Sequence, residues 1–314
     1  MAQATAKPQS DLAPHLALVA VQILFGTWPI FGKIVLRSMS TTNLMMCRLI
    51  GAAIVLSLIQ RRFRPLRLMP KKDLAWLTLC SLVGVVGNQF VYLKGLSLTT
   101  VINTTLLSTT IPVFALFVSI LMGHDRVSLR RFIGILLAAG GVLYLINPAR
   151  ADLSTQHIIG NLMVTTSSFL YAIYLVISKD LFERYGALNM ITWIFVVGSV
   201  ITLPFGIYSL SAAQVHTLPL TVWLTIGFII LLPTVGAYYL NAWALTQVTP
   251  STVAIYIYLQ PLFAFGVAPV LLGEKWNWRT VIAAMLIFAG VGVVTRRGKS
   301  KAIQEFTEHP ESTA

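Results

Sequence analysis

Residues 87–117, GNQFVYLKGLSLTTVINTTLLSTTIPVFALF, fall without a gap on residues 236–266, GAYYLNAWALTQVTPSTVAIYIYLQPLFAFG. The offset in numbering is 149, so that Gly87 meets Gly236, Thr100 meets Thr249, Pro112 meets Pro261 and Phe114-Ala115 meets Phe263-Ala264. The register runs on through Asp125/Glu274, Arg130/Arg279 and Gly141-Val142/Gly290-Val291. A weaker pairing at an offset of 146 sets Trp28 on Tyr174 and Lys33 on Lys179. The chain is therefore read as a duplication.

What is duplicated follows from composition. Apolar residues fill 56% of the 314 positions and charged residues only 11%, against roughly 25% charged in an ordinary soluble domain. A soluble surface cannot be built from so little charge, whereas a bilayer requires the backbone to satisfy itself inside helices. A spanning helix needs about 20 mostly apolar residues. Such runs lie near 15–36, 42–60, 74–96, 99–122, 132–148, 158–183, 187–209, 219–246, 250–273 and 279–296. The expected fold is an all-α membrane protein of ten transmembrane helices in two five-helix repeats, 15–148 and 158–297. Segments 1–14 and 298–314 are expected to be cytoplasmic. Five is odd, so the second repeat must cross the bilayer in the opposite sense to the first.

The net charge of +13 reflects topology rather than a nucleic-acid partner, because the basic residues flank the apolar runs. With the N-terminus inside, sixteen Lys and Arg fall on inner segments and four on outer loops. Both termini are therefore expected on the cytoplasmic side. No cleavable signal is read at the polar start, and Cys47 and Cys80 sit inside apolar runs as small core residues. Inverted repeats supply a mechanism, since two similar halves rocking about a midplane site exchange inward-open for outward-open states. A channel or receptor needs no such device.

Five plus five helices, the ILFGTWPIFGK stretch of the first helix, the matched Pro112 and Pro261, and the LLGEKWNWRTVIAAMLIFAGVGVV close resemble the drug/metabolite transporter superfamily, EamA type. The resemblance covers about residues 15–297, and within the family it is similar to YddG-type exporters of aromatic and other neutral amino acids. It implies a bacterial inner-membrane exporter with a small-molecule solute and the lipid bilayer as its partners.

None of the ten carboxylates and none of the five histidines falls mid-run. Proton-coupled pumps usually relay through an intramembrane Asp, Glu or His, so facilitated export of a neutral or zwitterionic solute is expected, with no cofactor or metal. The apolar runs offer rings and uncharged polar groups instead. Ser167, Tyr171, Tyr174 and Ser178 share one face of the sixth run, and Phe25, Trp28 and Gly32 form the matching stripe in the first. Asn88 and Tyr92 lie together on the third run, with Asn241 at the position repeating Tyr92. The fourth carries Asn103, Thr104 and Ser108, and the ninth stacks Thr252, Tyr256 and Gln260. Amides and hydroxyls suit an amino acid's charged groups, and rings suit its side chain. The substrate-binding candidates are Phe25, Trp28, Asn88, Tyr92, Asn103, Ser108, Ser167, Tyr171, Tyr174, Asn241, Tyr256 and Gln260.

Plainer accounts stand beside these. Membrane Ser, Thr and Asn often glue helices together, and Trp76, Trp223, Trp276 and Trp278 suit an interfacial belt. Lys33, Arg48 and Lys94 are expected to snorkel outward or to meet a carbonyl. If they face a cavity instead, an organic anion such as a sugar phosphate or nucleotide sugar becomes the natural solute. Pro112 and Pro261, read as mid-helix kinks, are the gating candidates. Gly140-Gly141 and Gly290-x-Gly292 suit close helix packing, leaving monomer and homodimer both open. A lipid-modifying membrane enzyme would need a cluster of His, Asp or Glu at one interface, which the sequence lacks. The near P-loop at 292–300 has five residues between its glycines where four are required.

Overall fold

A computed structural model of the chain describes residues 12–60, 69–122, 129–146, 156–211, 218–248, 253, 256–275 and 277–295. Most of the two expected terminal segments, the basic stretch 61–68, and His124, Asp125, Arg126, His216, Thr249, Thr252 and Trp276 lie outside the described residues. Among those described, ten helical segments follow in order: α1 Leu12–Val35, α2 Thr41–Ile59, α3 Lys71–Leu98, α4 Val101–Leu121, α5 Leu129–Ile146, α6 Gln156–Tyr185, α7 Ala187–Ser211, α8 Leu220–Gln247, α9 Ile257–Leu272 and α10 Trp278–Thr295. Seven of them, α1–α4 and α6–α8, are long and apolar enough to cross a membrane, and the other three carry shorter apolar stretches. No strand occurs among the described residues. The chain is an all-helical, multi-pass membrane protein.

The surface is apolar where a soluble protein would be charged. Leu16, Leu58, Phe205, Leu224 and Val270 all stand exposed, which is favourable only against lipid tails. Polar groups are turned inward. Gln60 donates to the Asn189 side chain at 2.7 Å and accepts from Thr192 at 3.1 Å, tying α2 to α7. Asp73 at the start of α3 meets Arg184 at 2.8 Å and the Tyr185 hydroxyl at 2.5 Å near the end of α6.

Element boundaries recur with the sequence offset. In α3, Lys71–Cys80 leads into a wide π turn, Ser81–Gly87, and then Asn88–Leu98. In α8 the same three pieces return, at the sequence offset of 149, as Leu220–Ile229, Ile230–Gly236 and Ala237–Gln247. α5 and α10 begin and end at that offset too. Packing partners are exchanged likewise: α1 lies on α8 and α9, while α6 lies on α3 and α4.

The proline expectation is corrected. Pro112 and Pro261 do not bend a continuous helix. Each sits in the first turn of a new helical piece, Ile111–Leu121 and Gln260–Leu272, where the missing N–H would have no intrahelical partner anyway. Thr109 and Thr110 close the preceding piece by turning N–H and hydroxyl alike onto the carbonyls of Leu106 and Leu107. Before Pro261 a short 3-10 turn, Ile257–Leu259, takes that place.

The α3–α4 junction is clamped from two directions. Lys33 of α1 gives its ammonium to the carbonyls of Leu96 and Thr99 at the end of α3. Glu274 accepts from the N–H groups of Val101 (2.7 Å) and Ile102 (3.0 Å) at the start of α4. Gly273, at φ 69°, ends α9 in the left-handed conformation that glycine adopts at least cost. That turn carries Glu274 to α4. Cation at a helix C-terminus and anion at an N-terminus both complement the peptide dipoles.

Gly141 and Gly290 hold α5 against α10. A Cβ on Gly141 would stand 3.0 Å from the Ala283 carbonyl oxygen and the Ile287 nitrogen, and one on Gly290 would stand 2.5 Å from the Ala138 nitrogen and 2.6 Å from the Gly134 oxygen. These two glycines are thus spent within the chain, while Gly140 and Gly292 face open space. Gly290→Ala is expected to lower stability by about 1–3 kcal/mol through backbone overpacking, and Gly292→Ala to leave it unchanged or slightly raised. Thermal melts of the two variants in one detergent check this, and coincident melting temperatures would refute the packing account.

Candidate functional site

A cavity opens between α1, α2, α3, α4, α6, α8 and α9, with about 80 Å³ accessible to the centre of a water molecule, room for several waters. Its lining includes residues at positions that the sequence offsets pair with one another. Gln22 and Phe25 are matched by Ser168 and Tyr171 at the offset of 146. Gln89, Tyr92, Ser108 and Ile111 are matched by Tyr238, Asn241, Ile257 and Gln260 at the offset of 149. The wide turns lie beside it: Asn88 and Gln89 follow the turn in α3, and Thr234 sits inside the turn in α8. Such turns rotate the next side chains away from a regular helical face and occur often at functional sites.

Nine of the twelve residues picked from sequence line the cavity: Phe25, Trp28, Asn88, Tyr92, Ser108, Ser167, Tyr171, Asn241 and Gln260. The other three do not. Tyr174 is buried behind Tyr171, with ring centroids 5.5 Å apart. Asn103 is half-buried in the first turn of α4, where its N–H donates to the Thr100 hydroxyl. Tyr256 is drawn aside by a 2.7 Å contact with His15 Nδ1, and the 3-10 turn that follows takes it off the face of Gln260.

Part of the polar lining is spent on the protein itself, as the packing account supposed. Asn88 donates its amide to the Ser167 carbonyl (2.8 Å) and hydroxyl (3.0 Å). Gln260 donates to the Gln22 oxygen at 2.7 Å, joining α9 to α1 across the cavity. Asn241 reaches the Tyr171 hydroxyl only at 3.4 Å. The Gln89 amide, 2% exposed, makes no hydrogen bond of good geometry at either end. Rings complete the wall: Trp28 stacks on Tyr92 at 6.2 Å, and Phe25 meets the edge of Tyr238 at 5.7 Å.

The three cations separate. Lys33 is held by carbonyls, as expected, and Lys94 is exposed. Arg48 contradicts the snorkelling expectation. It is 3% exposed and lines the cavity, with Cζ 3.8 Å from the Trp28 ring centroid and Nε donating to the Thr234 hydroxyl at 3.0 Å. Two turns into α2, its stem points inward, and an aromatic face offsets part of the desolvation cost.

Sequence reading passed over Gln22, Gln89, Ser168 and Tyr238. Two of these are amides inside apolar runs, a signal that was available. Tyr238 was hidden in the pair Tyr238-Tyr239, of which the first is buried and the second exposed. Periodicity cannot choose between them because the π turn shifts the register just before the pair.

The EamA-like transporter family matches residues 12–147 and again 158–296. The chain belongs to that family. Among the relatives of this EamA-like chain, an uncharacterized transporter of Archaeoglobus fulgidus is 27% identical over 90% of this chain and 97% of its own length. The uncharacterized transporter YetK of Bacillus subtilis is 23% identical over 93% of this chain and 89% of its own. A probable terminal-alkyne amino-acid exporter of Streptantibioticus cattleyicolor is 24% identical over 72% of this chain and 74% of its own. A solved crystal structure superposes with a TM-score of 0.64 at 17% identity, covering 91% of this chain and 98% of the other, and so shares the fold. The protein is thus a membrane transporter.

Gly84 offers a test of the wall. A Cβ there would overlap Cδ2 and Cγ of the Tyr174 ring, so Gly84→Ala must push the Tyr174–Tyr171 pair into the cavity. Solute affinity is expected to fall about tenfold, the equivalent of about 1.4 kcal/mol. Gly227→Ala, with nothing within 4 Å, is expected to leave it alone. Equal half-saturation concentrations in the two variants would count against this cavity as the solute site.

Proposed function

We propose that this transporter is an alternating-access exporter or facilitator of small neutral metabolites, amino acids including aromatic ones, in the bacterial inner membrane. Ten spanning helices form two inverted five-helix repeats, about 15–148 and 158–297, with both termini cytoplasmic. The recurrence of helix boundaries at the sequence offset supports the repeat. Lining contributed by equivalent positions of both halves supports a site about which the halves exchange roles.

One observation carries the choice of solute: the cavity combines rings, amides and hydroxyls with a single guanidinium. An α-amino acid presents one carboxylate, one ammonium and one side chain, and each has a complement there. The relative named a probable amino-acid exporter points the same way. Among the described residues no Asp, Glu or His lines the cavity, which favours facilitated flux over proton relay. Arg48 also favours a second reading, an organic anion. A sugar phosphate carries more than one charge to neutralise, however, and Lys33 is already engaged while Lys94 is exposed.

Counterflow in proteoliposomes holding only this protein tests the solute class. Saturable exchange of neutral amino acids, unchanged by an imposed pH gradient, is expected. Flux of sugar phosphates without amino-acid flux would establish the anion reading instead, and flux that follows the gradient would overturn the facilitator mechanism.

Orientation has its own test, in a chain carrying Cys47→Ser and Cys80→Ser. Lys94→Cys is expected to react with an impermeant maleimide added outside intact cells. Lys71→Cys is expected to react only after permeabilisation. The reverse pattern would invert the assigned topology.

A further inference from the structure

Arg48 is a buried charge with no counter-ion among the described residues. It is 3% exposed, and among the described residues no carboxylate lines the cavity it faces. A charge at the bilayer centre costs about 2.5–3.5 kcal/mol on insertion scales, and a buried cation is ordinarily paired. A side chain serving packing alone would be replaced at no loss by an apolar one. The groups around it hold it in one pose instead.

Thr234 sits in the wide turn of α8 and gives its own hydroxyl proton to the Ile229 carbonyl at 2.8 Å. Its oxygen is thereby left to accept from Arg48 Nε at 3.0 Å. The Trp28 ring covers the guanidinium, 3.8 Å from Cζ to the ring centroid. With Nε occupied and the ring stacked, the remaining donors are the four N–H bonds of the two terminal nitrogens. Among the described residues these have no hydrogen-bond partner. A planar fork of parallel N–H donors fits a carboxylate at two points.

We propose that Arg48 is the carboxylate-recognition point of this transporter, with Thr234 and Trp28 as its positioning residues, so that solutes are selected for one free carboxylate. The proposal rests on the reading of the cavity as an amino-acid site and adds which group of the solute is read. One guanidinium balances one carboxylate. Amino-acid amides and the corresponding amines bring a second positive charge without an anion and are rejected. Sites built to bond a polar group discriminate strongly against analogues lacking it, because the buried donors are left unpaired.

The test needs no variant to begin with. Counterflow of a labelled neutral amino acid in proteoliposomes is challenged with the unlabelled amino acid, its amide and its decarboxylated amine. The amide and amine are expected to compete at least about hundredfold more weakly. In Arg48→Gln that preference is expected to vanish, and in Arg48→Lys, which keeps the charge but not the fork, to fall partway. Thr234→Val is expected to raise the half-saturation concentration for the amino acid and narrow the acid-to-amide ratio, a ratio that loss of folded protein alone would leave unchanged.

Amide and amino acid competing equally on a saturable flux would overturn the role of Arg48 and leave the proposed solute class standing. Carboxylates without an amino group competing as well as amino acids would do the opposite, supporting Arg48 and overturning the zwitterion reading. No saturable flux of any carboxylate would overturn both.

Discussion

Inside a bilayer no water is present to satisfy a backbone N–H or C=O, so every departure from the α-helix must be repaired by the protein. The repairs in this chain account for much of its architecture. At the α3–α4 junction the freed carbonyls of Leu96 and Thr99 go to Lys33, and the freed N–H groups of Val101 and Ile102 go to Glu274. At the break within α4 the hydroxyls of Thr109 and Thr110 turn back onto the preceding carbonyls. The groups that mend each break come from distant parts of the chain or from short polar side chains within reach. Breaks and polar residues therefore occur together, and the break within α4 and the two π turns lie beside the cavity.

The two π turns show how such a departure is put to use. In α8 the Thr234 hydroxyl, inside the wide turn, donates to the Ile229 carbonyl, and its oriented oxygen then anchors Arg48 from α2. A backbone irregularity in α8 thus sets the direction of a charge carried by α2. The matching turn in α3 precedes Asn88 and Gln89, one amide bonded to Ser167 and the other without a good partner. Equivalent positions line the cavity from both sides, yet their chemistry differs: Gln89 is repeated as Tyr238, and Ile111 as Gln260. The cavity is therefore asymmetric in its chemistry although paired positions line it.

Close packing supplies the rest. Gly141 and Gly290 let α5 and α10 approach until each glycine meets the backbone of the facing helix, and without a hydrophobic drive between helices in lipid such contacts are what holds helices together. The glycines themselves were visible in the sequence. That Gly141 and Gly290 are used within one chain, while Gly140 and Gly292 face outward, was not, since the choice depends on the rotation of each helix about its axis.

The order of apolar runs, the pairing of segments at offsets of 149 and 146, the all-helical class, the family and most of the polar and aromatic lining were legible in the residues alone. These follow from one-dimensional quantities: hydropathy over a window, an offset, and helical periodicity. Periodicity failed where the helix itself failed. It carried Tyr256 onto the face of Gln260 across a 3-10 turn, placed Pro112 and Pro261 inside helices that they begin, and could not separate Tyr238 from Tyr239 behind a π turn. Arg48 was misjudged for a different reason. Whether a long cationic side chain reaches outward to water or inward to a cavity depends on what waits at each end of its reach, and Trp28 and Thr234 come to it from α1 and α8. Only the packed tertiary structure brings those partners to one point, and with them the charge that faces the cavity.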